Sequence, residues 1–324
     1  MARGRHAPMW ADQMNERMTL EQAWKSWDRA MVAAERSDLT REAYARYVAR
    51  FIRYLQEDGH AEPKATHLTA ESVRGFVVWL KEQAPAVVNN RVMPKGPQSL
   101  RAHVVCIKAF AHWMMENGVF KHDPVARVKN PSVREPEVVP FTKEEVKLIV
   151  GEVGSGPFAT RNRAIVYWML ATGCRAAEVC SLKVANLNLK ERAALVTGKG
   201  NKQRTVVFDR ATARYLALYL AERPEGPAGK GCVFVSASGA ALNPGALYGI
   251  IRGLGDRAGV PNAHPHRLRH QMATTFLEAY PGQVFQLQTL LGHTGLGMTR
   301  RYVKAAHARQ IMSGPSIIET LGLR

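Results

Sequence analysis

Apolar positions in the first third of the chain recur at helical spacing. Thr19-Leu-Glu-Gln22 has the form of a capping box, and behind it Leu20, Ala23, Trp24, Trp27 and Met31 share one face. A second helix is expected behind Thr40, with Tyr44, Tyr47, Val48, Phe51, Ile52 and Leu55 on its buried stripe and Gly59 at its end. A third follows Thr69, and a fourth runs from about Ser99 to Asn117 with Leu100, Val104, Ile107, Ala111 and Met114 inward.

The period is lost at PSVREPEVVP (131–140), a proline-rich polar stretch that reads as a linker. Three parts follow: a helical amino-terminal domain (1–130), the linker (131–140) and a second domain with a carboxy-terminal tail (141–324). The second opens with another capping box, Thr142 with Glu145, and an apolar helix ending at Gly173 leads into a short helix from Arg175 to Leu182. Strand-like alternation then covers 184–189, 193–197 and 203–208, with Gly198-Lys-Gly-Asn-Lys202 as the turn between the last two. Helices resume after Asp209, apart from a short apolar piece at 233–235. The fold class is mainly α with a small antiparallel β-sheet: a helical domain followed by a mixed α/β domain.

Charge narrows the function. Lys and Arg number 45 against 27 Asp and Glu, a formal charge of +18. Nucleic acid is the first reading of such an excess, and a basic surface with no partner is the other. Arg46, Arg50 and Arg53 lie at i, i+4 and i+7 on the outer side of the second helix, and Arg101, Lys108 and His112 on that of the fourth. Both stripes fit a DNA groove with cations reaching phosphates, and both fit solvated faces. The longest apolar run, Ala164 to Cys174, is shorter than the ~20 residues of a bilayer span, so no membrane is expected. The start, MARGRHAPMW, lacks the apolar core of a signal peptide, and Cys106, Cys174, Cys180 and Cys232 show no metal spacing; a reducing cytoplasm is expected.

Pro265 after His264 marks a helix start that sets His266, Arg269 and His270 at i, i+3 and i+4. Arg267 and Arg269 interrupt the histidines, so a metal site is not expected there. From Gly226 to the end the acids are Asp256, Glu278 and Glu319, too few and too scattered for two-metal phosphoryl transfer. A metal-free phosphodiester site needs cations on the nonbridging oxygens, an in-line nucleophile and an acid for the departing oxygen. Arg175, Arg269, His266, His293, Lys199 and Tyr302 provide those types, although each alone also suits packing or solvation.

Their order and spacing resemble the tyrosine recombinases, the lambda-integrase or Xer-like family. ATGCRAAEVCSL (171–182) is similar to the family's first arginine motif, GKGNKQRTVVF (198–208) to its lysine hairpin, HRLRH (266–270) to its His-x-x-Arg motif and LLGHTGLGMTRRY (290–302) to its closing His and Tyr motif. The stretch 99–131 is similar to the end of its core-binding, SAM-like domain. The resemblance implies that Tyr302 attacks the phosphate to give a 3′-phosphotyrosine, and that Arg175 and Arg269 hold its nonbridging oxygens. It implies Lys199 as general acid, His266 in proton transfer, His293 on the phosphate and Glu178 as an orienting acid, with no metal and no cofactor. DNA contact is assigned to Arg46, Arg50, Arg53, Arg101, Lys108, Lys202, Arg204, Arg267, Arg300 and Arg301.

The departures are Cys174, at a position that is often Leu or another apolar residue in the family, and Gly295 and Gly297 with an extra basic pair at Arg300 and Arg301, which read as DNA contacts or as a hinge before Tyr302. The partners implied are duplex DNA with a specific recombination site, three further protomers in a tetramer on two sites, and accessory DNA-bending or partner recombinase proteins. The apolar tail (Ile317, Ile318, Leu321, Leu323) either docks on a neighbouring protomer or packs on its own domain. A monomeric type IB topoisomerase and a non-catalytic DNA-binding relative are the alternatives; six filled catalytic positions disfavour the second.

Overall fold

Several helix starts in this chain coincide with polar residues that cap them. Thr19 and Gln22 close a reciprocal capping box on α1 (Leu20–Ala33), and Thr142 with Glu145 does the same for α5 (Lys143–Glu152). Asp209 caps α8 (Arg210–Glu222), and Asn243 caps α9 (Pro244–Arg257), where Pro244 also supplies a preset φ in the first turn. The computed structural model describes residues 17–82, 86–88, 91–93, 96–133, 139–154, 156–224, 231–292 and 302–303, with backbone alone at 86–88, 91–93 and 199. The chain divides into two units, residues 1–135 and 136–324.

The first unit comprises α1, α2 (Asp38–Glu57), α3 (Ala70–Glu82) and α4 (Pro97–Glu116), with an antiparallel hairpin of β1 (Ala86–Val88) and β2 (Arg91–Met93) between the last two helices. Trp27 of α1 stacks on Tyr44 of α2 and Phe110 of α4, with ring centroids 5.2 and 5.1 Å apart, so one indole joins three helices. Helix α2 begins two residues before Thr40, behind Ser37: its first turn bonds back to Ser37 C=O, and Asp38 in that turn pairs with Arg41. The hairpin was not anticipated, since three-residue strands carry almost no periodic signal.

In the second unit α6 (Ala159–Thr172) packs on α8, on α10 (Pro265–Ala279) and on β5 (Gln203–Val207). It buries residues around much of its circumference, including Ala164, Ile165, Val166, Trp168 and Met169, as a helix surrounded by others must. The short α7 (Ala176–Ser181) follows. Strands β3 (Leu187–Asn188), β4 (Ala193–Thr197) and β5 form an antiparallel sheet in that order. Residues 184–186, expected as strand, make a single 3-10 turn, while Val184 N–H bonds to Gly231 C=O. Helix α11 (Val284–Leu291) follows, and Gly292 ends it in the left-handed conformation, φ +62°.

Two glycines of α9 make opposite predictions. A Cβ at Gly255 would stand 2.2 Å from the Ala263 Cβ and 2.9 Å from the Val260 carbonyl, whereas nothing lies within 4 Å of one at Gly249. Gly255→Ala is therefore expected to destabilise the protein by about 1–3 kcal/mol through overpacking. Gly249→Ala should stabilise it by roughly 0.4–1 kcal/mol through helix propensity and the unfolded state. Denaturant unfolding of both variants checks the contrast in sign.

Candidate active site

One carboxylate organises the site. Glu178, 2% exposed, lies one turn into α7 and reaches back to the backbone N–H of Arg175 at the helix cap (2.8 Å). Arg175 Nη1 donates to its Oε1 at 3.0 Å, and Arg204 of β5 takes both oxygens, Nη1 to Oε1 at 2.7 Å and Nη2 to Oε2 at 2.8 Å. Burial alone would raise the Glu178 carboxyl; the Arg204 hydrogen bonds, the Arg175 N–H and the two cations hold it below the usual range. Gly198, which opens the lysine turn, passes so close that a Cβ there would meet Glu178 Oε1 at 3.0 Å.

The end of α11 is the second gathering point. The last carbonyls of a helix have no partners within it and carry the negative end of its dipole. Here Leu290 C=O accepts from Arg204 Nε at 2.8 Å and Leu291 C=O from Arg269 Nη2 at 2.9 Å, while Arg175 reaches the carbonyls of Leu291 and Gly292 at 3.5 Å. Arg269 also donates to Gly173 C=O, at the left-handed end of α6, φ +60°. A side chain at 173 would collide with Leu291 Cδ2 at 2.8 Å, so glycine lets α6 and α11 meet there.

Two guanidiniums thus face one carboxylate, and a third, Arg269, stands within its electrostatic reach. Arg269, 1% exposed, is pushed down to about 10, first by desolvation and then by the charge of Arg175; Tyr302 and Glu178 act in the opposite sense. It stays cationic at neutral pH, and Tyr302 is near enough to interact with it electrostatically. Tyr302 itself is 2% exposed and packs with Ala273, Leu277, Leu287 and Leu291. Its ring lies 5.2 Å from that of His270, which lies 4.1 Å from that of His266, an exposed side chain at the start of α10. Cys174 is fully buried and its thiol is pushed up to about 11 by desolvation, so it serves as a small neutral residue before Arg175.

Arg175, Arg269, Glu178 and Tyr302 are thereby brought together, and Lys199 sits in the turn that Gly198 opens against Glu178. The side chain of Lys199, all of His293, Arg300 and Arg301, the glycines at 295 and 297 and the apolar tail lie outside the described residues. Two expected DNA contacts face inward instead. Arg204 is fixed on Glu178 and α11, and Arg267 is held by Val139 C=O, Pro261 C=O and Glu145 with its guanidinium 3.9 Å over the Phe141 ring, tying α10 to the start of α5. Lys202 is exposed.

In the first unit Arg46 and Arg101 are exposed, and Arg53 pairs with Glu57 at 2.8 Å. Lys108 donates to Val128 C=O at 2.7 Å. Arg50 donates to Nε2 of buried His103, whose Nδ1–H is directed at Ser99 C=O. Sequence reading missed His270 beside Tyr302 and the site role of Arg204. Among the described residues no three His, Cys, Asp or Glu side chains group as metal ligands do, and no helix is long and apolar enough to cross a membrane.

The Phage integrase family pattern matches residues 140–309, and that of the phage integrase N-terminal SAM-like domain matches residues 25–118. The chain is 30% identical over 287 residues to tyrosine recombinase XerC of Mycobacterium sp. (strain JLS), covering 85% of this chain and 90% of that protein. It is 27% identical to tyrosine recombinase XerD of Listeria monocytogenes, covering 83% of this chain and 89% of the relative. The same fold occurs in the XerH site-specific recombinase, solved bound to a palindromic difH substrate after cleavage. The TM-score is 0.68 at 18% identity, over 91% of this chain and 85% of that one.

A carboxyl whose folded pKa lies below its unfolded value contributes stability above the unfolded value and loses it as pH falls through the folded one. Glu178 is such a group. Glu178→Gln should cost about 3 kcal/mol at pH 7, because it leaves two guanidiniums without their buried counterion. The difference from wild type should keep its full size above about pH 5 and shrink below about pH 4, near the unfolded value. Denaturant unfolding of both proteins across this range tests it; a gap independent of pH would remove the charge argument.

Proposed function

Since the chain belongs to the phage integrase family, the tyrosine recombinases, we propose that it is a Xer-like site-specific recombinase that cleaves and rejoins duplex DNA through a phosphotyrosine on Tyr302. The carrying observation is that Arg175 and Arg269 share one electrostatic cluster with Tyr302, in which cations outnumber the single carboxylate. A phosphodiester brings one negative charge, and its transition state more, into a place already built for anions.

In this reading Arg175 and Arg269 exchange their carbonyl partners for the nonbridging oxygens, while Glu178 keeps Arg175 oriented. The Tyr302 oxygen attacks phosphorus, the bond to the 5′ oxygen breaks, and Lys199 protonates that oxygen. The products are a 3′-phosphotyrosine and a 5′-hydroxyl. His266 takes the phenol proton and His293 donates to the phosphate. A free phenol, with pKa about 10, is a weak nucleophile at neutral pH, so the neighbouring cations favour its ionised form. Attack by a 5′-hydroxyl of the exchanged strand reverses each step and frees Tyr302, so phosphodiester energy is kept and no nucleotide is needed. Because Tyr302 is stored between α10 and α11, the cycle includes its movement to the phosphate.

Duplex DNA is the partner that the charge and the family both support. The finer reading is a specific recombination site, a tetramer on two such sites joined through the apolar tail, and accessory DNA-bending or partner recombinase proteins. Exposed Arg46, Arg101 and Lys202 are the cations offered to phosphates, so affinity falls with salt.

A nicked suicide substrate tests the chemistry, because loss of the short fragment beside the nick traps the covalent intermediate. Wild type should give a DNA adduct that survives denaturation, and Tyr302→Phe should bind the same DNA with no adduct. An adduct formed by Tyr302→Phe would assign the nucleophile elsewhere.

A further inference from the structure

Arg204 bonds to two other parts of the site at once. Its terminal nitrogens cover both Glu178 oxygens, its Nε holds Leu290 C=O, and its side chain is only 14% exposed. Gly292 lies directly beside it: a Cβ there would stand 3.1 Å from Arg204 Cδ and Nη1. One planar fork therefore links the strand that follows the Lys199 turn, the helix capped by Arg175, and the last turn of α11. A lysine, a point charge on a flexible stem, does not reproduce that geometry.

The arrangement fixes what Arg175 is able to do. Glu178 is too buried to remain without a counterion. With Arg204 across both oxygens, Arg175 meets Oε1 through Nη1 alone, and its Nη2 makes only a 3.5 Å contact with Gly292 C=O. Its side chain remains 35% exposed. Without Arg204, the carboxylate would draw Arg175 into a two-pronged pair and away from any phosphate. We propose that Arg204 is a positioning residue for strand cleavage: by saturating Glu178 it keeps the Arg175 guanidinium available to the scissile phosphate. This rests on the recombinase reading and replaces the expectation that Arg204 contacts DNA.

The test uses the full-length protein, with single-turnover cleavage of the suicide substrate at saturating protein, DNA affinity by fluorescence anisotropy, and thermal unfolding in parallel. Arg204→Met should bind DNA within about twofold of wild type and cleave roughly 10–100-fold more slowly, the loss typical of a disturbed supporting shell. Arg204→Lys should also bind normally and cleave more slowly than wild type, and it carries the comparison if the methionine variant folds poorly. Arg204→Met combined with Glu178→Gln should cleave faster than Arg204→Met alone, because the carboxylate competing for Arg175 is gone.

Wild-type cleavage by Arg204→Met overturns the proposal, as does a double variant no faster than the single one. A defect recovered fully at higher concentration, with the slope of log affinity against log salt reduced by about one, also overturns it by making Arg204 a phosphate contact. Absence of any adduct with wild type would remove the recombinase reading together with this role, whereas normal wild-type cleavage beside an unaffected Arg204→Met removes this role alone.

Discussion

Three guanidiniums cannot be gathered in one place unless something holds them there against their mutual repulsion. Glu178 and the carbonyl end of α11 provide that holding force, one as a full negative charge and the other as a set of dipoles. The balance is incomplete. Arg269 is pushed down to about 10, well below the ordinary arginine range, first by desolvation and then by the charge of Arg175, so its charged form is held at a deficit. Neutralising Arg175 would relieve only the charge-repulsion part of this deficit, and with it part of the attraction for an anion.

The fold of the second unit distributes the task over separate elements. α6 forms the buried axis, and its glycine terminus gives one carbonyl to Arg269. α10 lies against α6 and brings Arg269, His266 and His270 from a single proline-started helix. α7 carries Arg175 and Glu178 one turn apart, and the β4–β5 hairpin brings the lysine turn and Arg204. Because the groups come from several separate elements, the geometry depends on how the helices pack, and the large buried residues Trp168, Phe141 and Phe234 set that packing.

Much of this was legible before any coordinates. The capping residues Thr19 and Thr142 mark their helix starts, the inward stripes of α2 and α4 follow the 3.6 period, and the four motif segments give the family. Arg204 is legible too, by strand alternation rather than by charge. In β5 it shares the inward face with Val206, across from Val196 and Ala194 of β4, so alternation alone directs it toward the core and toward Glu178. Counting it with the basic surface followed charge and ignored period. Arg267 is harder to read, because its partners at Val139, Glu145 and Pro261 are set by tertiary packing. The stacking of His270 near Tyr302 joins residues 32 positions apart in the sequence, and no local pattern reports it.

In the proposed reading, the two arginines assigned to the phosphate are not equally bound, and this orders their exchange. Arg269 is enclosed, with strong bonds to Gly173 and Leu291 carbonyls and 1% exposure. Arg175 keeps one firm bond to Glu178, has only 3.5 Å contacts with Leu291 and Gly292, and faces solvent more openly. A phosphate arriving from solvent meets Arg175 first and displaces its weaker contacts at little cost, since a charge-assisted bond replaces two stretched ones. Arg269 yields only when the carbonyl of Leu291 is drawn away or shared. That carbonyl belongs to a residue packed against Tyr302, so the second exchange disturbs the same cluster that stores the nucleophile. On that reading, phosphate capture and release of the phenol meet at Leu291, which shares one apolar cluster with Tyr302.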